Sequence, residues 1–204
     1  MAEQSNFNQV TPNRYYDRVF QRDAVKILPG EYFVTQDDTM IVTVLGSCVS
    51  VCLRDPLTKL AGMNHFLLPH DVGGNGLMFS ESARYGIYAM ELLINQLLKM
   101  GAHRHRLEAK IFGGANVLRG VTVNNVGEQN VEFVMDYLRT EHIPVVANDL
   151  LDDFPRKVYF FPETGEVKVR KLKSLHNSTI IDRESEYRIK LKETSKKSGD
   201  VDLF

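Results

Sequence analysis

The chain has 204 residues, 43% hydrophobic and 25% charged, which is a globular composition with length enough to bury a substantial core. Its 25 Lys and Arg against 26 Asp and Glu leave a formal charge of −1, so neither nucleic acid nor an anionic membrane surface is an expected partner. Apolar runs such as 40–45 and 49–53 fall well short of the roughly 20 residues that span a bilayer, and the polar first residues lack a secretory-signal pattern. No membrane insertion and a cytoplasmic location are therefore expected.

Residues 1–24 are polar and rich in Asn and Gln, then turn aromatic at Tyr15, Tyr16 and Phe20, which predicts an N-terminal arm that docks by its end. Pro29-Gly30 sets a turn before a short strand over 31–35, and Asp37-Asp38 sets another. Residues 40–45 and 49–53, rich in β-branched side chains, are separated by Gly46-Ser47 and closed by Arg54-Asp55-Pro56; they read as buried strands. Residues 60–68 form a further apolar stretch ended by Pro69, and 71–76 a glycine-rich loop. A helix follows. Ser80 or Ser82 can cap it, Ile87, Met90, Ile94, Leu97 and Leu98 recur at helical spacing, and Gly101 stands just past its end.

Residues 107–112 read as a strand running into Gly113-Gly114, and 121–124 as an edge strand or connection. Asn125 with Glu128 makes a capping box for a second helix over about 126–141. Strands are expected at 143–147, 157–161 and 167–172, the last two joined as a hairpin through Pro162-Glu163-Thr164-Gly165. From Lys173 the chain becomes polar, and 193–200 should be disordered. Strands interspersed with two long helices predict an α+β fold in layers.

Only two cysteines occur, Cys48 and Cys52. On one extended segment their Cα atoms lie about 13 Å apart at ~3.3 Å per residue. That exceeds the ~7 Å limit of a disulfide, and it is too far for one shared zinc unless the segment turns, so they read as separate thiols in a reducing compartment. A thiol reacts as thiolate and needs a nearby base and an open backbone to present it. Gly46-Ser47 before Cys48 supplies such a backbone, since amides at a bend after a strand can face a carbonyl oxygen. The candidate amides are those of Gly46, Ser47 and Val49, together with that of Cys48 itself.

Taken alone, the tripeptide favours the other reading, a small buried strand residue, which is the commoner state of a lone cysteine. Cys52, flanked by Val51 and Leu53, is assigned that structural role. His65 follows Cys48 by 17 residues; a strand, an Asp-Pro turn and a return strand would set the two side by side in one sheet. The alternative for His65 is a satisfied polar group at a sheet end. The other five histidines fall in loops or near helix ends, where solvated or capping roles are expected. Thr43 lies in the strand leading to Cys48; a hydroxyl can orient a base, though threonine also simply favours strands. Phosphate loops, dinucleotide fingerprints, Ser elbows and His-Glu-x-x-His helices do not occur.

At these residues the chain resembles a known family, the bacterial chemoreceptor glutamine deamidases called CheD. The resemblance rests on Val-Lys-Ile-Leu-Pro-Gly-Glu-Tyr at 25–32, Thr-Val-Leu-Gly-Ser-Cys-Val-Ser-Val-Cys-Leu-Arg-Asp-Pro at 43–56 and Ala-Gly-Met-Asn-His-Phe-Leu-Leu-Pro at 61–69. It continues through Ala-Arg-Tyr-Gly at 83–86, Glu-Ala-Lys-Ile-Phe-Gly-Gly-Ala at 108–115, Asn-Val-Gly-Glu-Gln-Asn at 125–130 and Arg-Lys-Val-Tyr-Phe at 156–160. These blocks span residues 25–172, expected as the deamidase domain, with 173–204 a polar tail.

The resemblance implies a four-layer α/β/β/α sandwich similar to certain toxin deamidases, and a catalytic Cys-His-Thr set falling on Cys48, His65 and Thr43. It implies hydrolysis of glutamine side chains on the cytoplasmic helices of methyl-accepting chemotaxis receptors, with no metal and no cofactor, and a CheC-type phosphatase as a possible partner. One departure stands out: where relatives carry glycines before Arg-Lys-Val, this chain has Asp149-Leu150-Leu151-Asp152-Asp153-Phe154-Pro155. Two rival readings remain open on sequence: a non-catalytic adaptor binding receptor or phosphatase, and a peptidase or transglutaminase-like enzyme using the same pair.

Overall fold

A computed structural model describes residues 13–68, 81–116 and 126–172, and near the C-terminus 182, 184–187 and 189. Ten strands and two long helices fill the main span: β1 (Asn13–Asp17), β2 (Arg22–Lys26), β3 (Tyr32–Thr35), β4 (Met40–Leu45), β5 (Val49–Arg54), β6 (Ala61–Asn64), α1 (Glu81–Lys99), β7 (Glu108–Gly113), α2 (Val126–Thr140), β8 (Val145–Leu150), β9 (Arg156–Phe161) and β10 (Glu166–Lys171). The strands form two five-stranded sheets, ordered β1-β2-β4-β9-β10 and β3-β6-β5-β7-β8. Pairing is antiparallel except for β2 with β4 and β7 with β8.

Period-two alternation assigns the faces. In β4, Ile41 and Leu45 point into a core between the sheets with Val158 and Phe160 of β9 and Cys52 and Met63 of the other sheet. Met40 and Val42 point outward, where they pack with Ala24 and Phe161 beneath Phe20. In β5 the odd residues Val49, Val51 and Leu53 face α1 and α2, meeting Met90, Leu93, Ile94, Val134 and Leu138. The chain is thus a single-domain α+β sandwich of two facing sheets. Both long helices cover the β3-β6-β5-β7-β8 sheet; a helical layer on the other sheet is not among the described residues.

The aromatic end of the N-terminal arm enters the fold as β1, an edge strand paired with β2 in register from Asn13↔Lys26 to Asp17↔Arg22. The predicted hairpin at 162–165 joins β9 to β10. The glycine-rich loop, His70, the connection at 121–124, the capping Asn125 and the expected disorder at 193–200 lie outside the described residues. Between β5 and β6, Asp55 accepts from the amides of Leu57 and Thr58 and from His103, and it pairs with Arg106 at 2.7 Å. The Arg106 guanidinium holds the Asp55 carboxyl well below the usual carboxylate range. This fixed turn sends β6 back antiparallel to β5 in the register Cys52↔Met63.

The departure loop after β8 is held by a buried arginine. Arg156 donates to the Asp149 side chain at 2.5 Å and to the carbonyls of Asp149 and Leu151. Leu151 and Asp152 have φ of 62° and 78°, the left-handed region that costs a non-glycine residue on the order of 1 kcal/mol. The loop's Leu151 amide bonds Gly113, and the Asp152 carbonyl accepts from Asn116. It therefore braces the glycine turn after β7, which in turn lies under Cys48.

Candidate active site

The site forms where β4 and β6 face each other across the inter-sheet space. Val49 and Phe66 exchange both backbone hydrogen bonds at 3.0 Å. This antiparallel bridge sets His65 opposite Ser50 and Cys48 opposite Leu67, so Cys48 and His65 are diagonal neighbours on one face, at about 7–8 Å between Cα atoms. The face is the one turned to the other sheet, since Cys48, Cys52 and Leu67 belong to the inter-sheet core. The strand, turn and return strand expected from the sequence are what bring the pair together.

Thr43 comes from the opposite sheet. Its Oγ1 lies 2.7 Å from His65 Nδ1 and 2.9 Å from the Ile27 carbonyl. A threonine hydroxyl has one proton. Donating it to Ile27, Thr43 must accept from His65, which places the imidazole proton on Nδ1 and leaves Nε2 as a basic lone pair. Nε2 has no hydrogen-bond partner among the described residues. Burial lowers the His65 pKa to about 3, so the ring is neutral near pH 7.

The His65 main chain is pinned as well: its carbonyl accepts from Gly30 at 2.7 Å and its amide donates to Glu31 at 2.9 Å. The turn after β4 is clamped from below by backbone. Gly114 donates to the Cys48 carbonyl and Ala115 to the Gly46 carbonyl, both at 2.8 Å. Gly113 has φ +117°, and a Cβ there would strike the Cys48 carbonyl oxygen; only glycine fits. From α2, Asn130 donates to the Ser47 carbonyl at 2.9 Å and accepts from the Leu68 amide at 2.8 Å. Gly127, one turn earlier, lies against Gly114 with no room for a side chain. Helix, glycine pair and strand end together hold the Gly46-Ser47-Cys48 turn rigid.

Three successive amides of that turn converge on one acceptor. Gly46 and Cys48 donate to Glu184 Oε1 at 3.1 and 3.2 Å; Ser47 donates to Oε2 through its amide at 3.2 Å and its hydroxyl at 2.6 Å. This is an anion-binding nest. Three of the expected amides, Gly46, Ser47 and Cys48, belong to it. Val49 does not, because its N–H is committed to Phe66 in the strand bridge.

Cys48 and Cys52 are both buried, and neither is in a disulfide. The Cys52 thiol is pushed far up by burial, as suits a structural residue in mid-strand. Among the described residues no group of three or more His, Cys, Asp or Glu gathers as metal ligands, and no helix is long and apolar enough to cross a membrane. Sequence reasoning missed Asn130 and Glu184. An asparagine inside a helix, where its propensity is poor, was a signal for the first.

Fold and site define an α+β sandwich in which cysteine, histidine and threonine gather beside a nest of backbone amides. The family profile described as CheD chemotactic sensory transduction matches residues 67–171. A Shewanella oneidensis protein named probable chemoreceptor glutamine deamidase CheD 1 is 69% identical over 95% of this chain and 93% of its own length. Similarly named proteins of Thiobacillus denitrificans and Xanthomonas campestris are 58% and 54% identical, covering 96% and 94% of this chain and the same shares of their own. The chain belongs to the CheD family. A solved structure, the Bacillus licheniformis hypothetical protein YfiH, is similar over 60% of this chain and 51% of its own at TM-score 0.38 and 16% identity.

Proposed function

We propose that this protein is a cysteine hydrolase that deamidates glutamine side chains of methyl-accepting chemotaxis receptors, in the cytoplasm, to glutamates open to methylation. The observation that carries the reading is the pairing of His65 Nδ1 with Thr43 beside the amide nest of residues 46–48. Cys48 loses its proton to His65 Nε2 and attacks the carboxamide carbon, and the nest amides receive the developing oxyanion. The tetrahedral adduct collapses as His65 protonates the leaving nitrogen, releasing ammonia and leaving a thioester. Water, deprotonated by His65, attacks the thioester and frees glutamate and the thiol. Thr43 keeps the ring in the tautomer that exposes Nε2.

The names of the relatives support the choice of receptor glutamine as substrate. A non-catalytic adaptor that binds receptors or a CheC-type phosphatase is the second reading; it is favoured by the burial of Cys48 and His65, which are 0% and 2% exposed. The experiment is to incubate the protein with a receptor cytoplasmic fragment and map Gln-to-Glu conversion by mass spectrometry. Site-specific conversion is the expected result. Tight binding of the fragment without conversion would establish the adaptor.

A further inference from the structure

The residue seated in the amide nest is the chain's own. Glu184 is 6% exposed, while Asp182 and Glu186 on the same helical segment are exposed. One helical turn on, Tyr187 lies against Gly30, where a Cβ would strike its hydroxyl, and it meets the hydroxyl of Tyr85 on α1. Glu184 and Tyr187 thus form one face of a helix pressed onto the site, and Glu184 lines the same small cleft as His65, Ile27 and Val44. The approach to Cys48 is covered from this side.

A glutamate carboxylate has the shape of a glutamine carboxamide, and it is the product of the reaction proposed above. Its two oxygens take three amides and a hydroxyl, charge-assisted hydrogen bonds that are roughly twice as strong as neutral ones. Tethered on the same chain, it competes at an effective concentration on the order of a millimolar. We propose that the Gly46-Ser47-Cys48 nest is a carboxylate-binding site taken in cis by Glu184, so that the C-terminal helix holds the enzyme in a self-occupied form and must leave before a substrate amide enters. This rests on the nest being the oxyanion site of the proposed deamidase.

The test reads the thiol directly, on the full chain. Iodoacetamide labelling of Cys48 is followed by mass spectrometry, with the buried Cys52 as internal reference. Glu184→Ala is expected to speed Cys48 labelling at least roughly tenfold, the fold-change that the loss of a single charge-assisted bond already gives. Millimolar acetate should slow labelling of that variant and leave the wild type unchanged. Glu184→Gln, which keeps the shape, and Tyr187→Ala, which removes the neighbouring anchor, should give smaller accelerations; they also guard against one variant failing to fold. Equal labelling rates in wild type and in the folded variants would overturn the proposal. Faster labelling of Glu184→Ala, with no conversion of receptor glutamine by any of the proteins, would keep self-occupancy and overturn the deamidase reading instead.

Discussion

Cys48 and Cys52 lie four residues apart on one segment, on the same face, and both are buried, yet they differ in every respect that matters to chemistry. Cys52 sits in mid-strand, paired with Met63 on one side and Lys110 on the other, among apolar neighbours. Cys48 sits just before the strand begins, where the chain bends, three amides converge, and His65 lies diagonally across the sheet. On the proposed function, reactivity belongs to the end of the strand. A residue in the ladder spends its amide on its neighbour, as Val49 does on Phe66; a residue one step outside has an amide to offer an oxyanion.

At the strand end, the Thr43 hydroxyl is the first target. Thr43→Val keeps shape and burial but removes the acceptor for the Nδ1 proton, and it should lower kcat for deamidation by up to about 100-fold with little change in KM. Thr43→Ser, which keeps the hydroxyl, should restore most of the loss, and a fall in kcat for Thr43→Val that exceeds its loss of stability separates orientation of His65 from a merely structural role; steady-state kinetics on a receptor fragment beside urea unfolding decides.

Acid should expose the same end. A histidine whose folded pKa is lowered to about 3 from an ordinary 6.5 binds its proton more readily when unfolded. Its contribution to stability is complete above pH 6.5 and is lost as pH falls from there towards 3. Urea midpoints should fall over that window, and His65→Gln should flatten the fall. Asp55, held low by Arg106, adds a further loss only below the ordinary carboxylate range. The smallest effect belongs to mid-strand: Cys52→Ala should cost about 1–2 kcal/mol in urea unfolding, from lost packing, and leave the activity of the folded protein unchanged.

The strands from β3 to β10 and both helices were legible because each carries its own signal: β-branched runs, a 3.6-residue stripe, and turns at Gly, Pro and Asp. The partition into two sheets was not, since it depends on pairings between residues far apart in sequence, such as Ile41 with Phe160. β1 is polar and largely exposed, an edge strand with one neighbour and no apolar pattern. Cys48 with His65 was readable as a local hairpin. Thr43 reaching His65 was not, because it crosses from one sheet to the other and a threonine in a strand looks ordinary. Glu184 had no signal at all: in a polar tail it matches Glu186 in composition, and only the helix face distinguishes them. The exclusion of Val49 as an amide donor turned on where the β5 ladder starts, a boundary that periodicity does not place to one residue.

The departure at 149–155 reads differently once folded. Glycine would take the positive φ of Leu151 and Asp152 freely; here the buried Arg156 holds the same bend by grasping the carbonyls and Asp149.

On the proposed function, the sulfur at the strand end, and not the one within it, carries the reaction. The direct measurement is the rate of Gln-to-Glu conversion on a receptor fragment by wild type, Cys48→Ala and Cys52→Ala, each verified as folded. Cys52→Ala is expected to keep the wild-type rate, while Cys48→Ala should fall by roughly 10⁴-fold or more, as removal of a covalent nucleophile does. Conversion that persists in Cys48→Ala would contradict it.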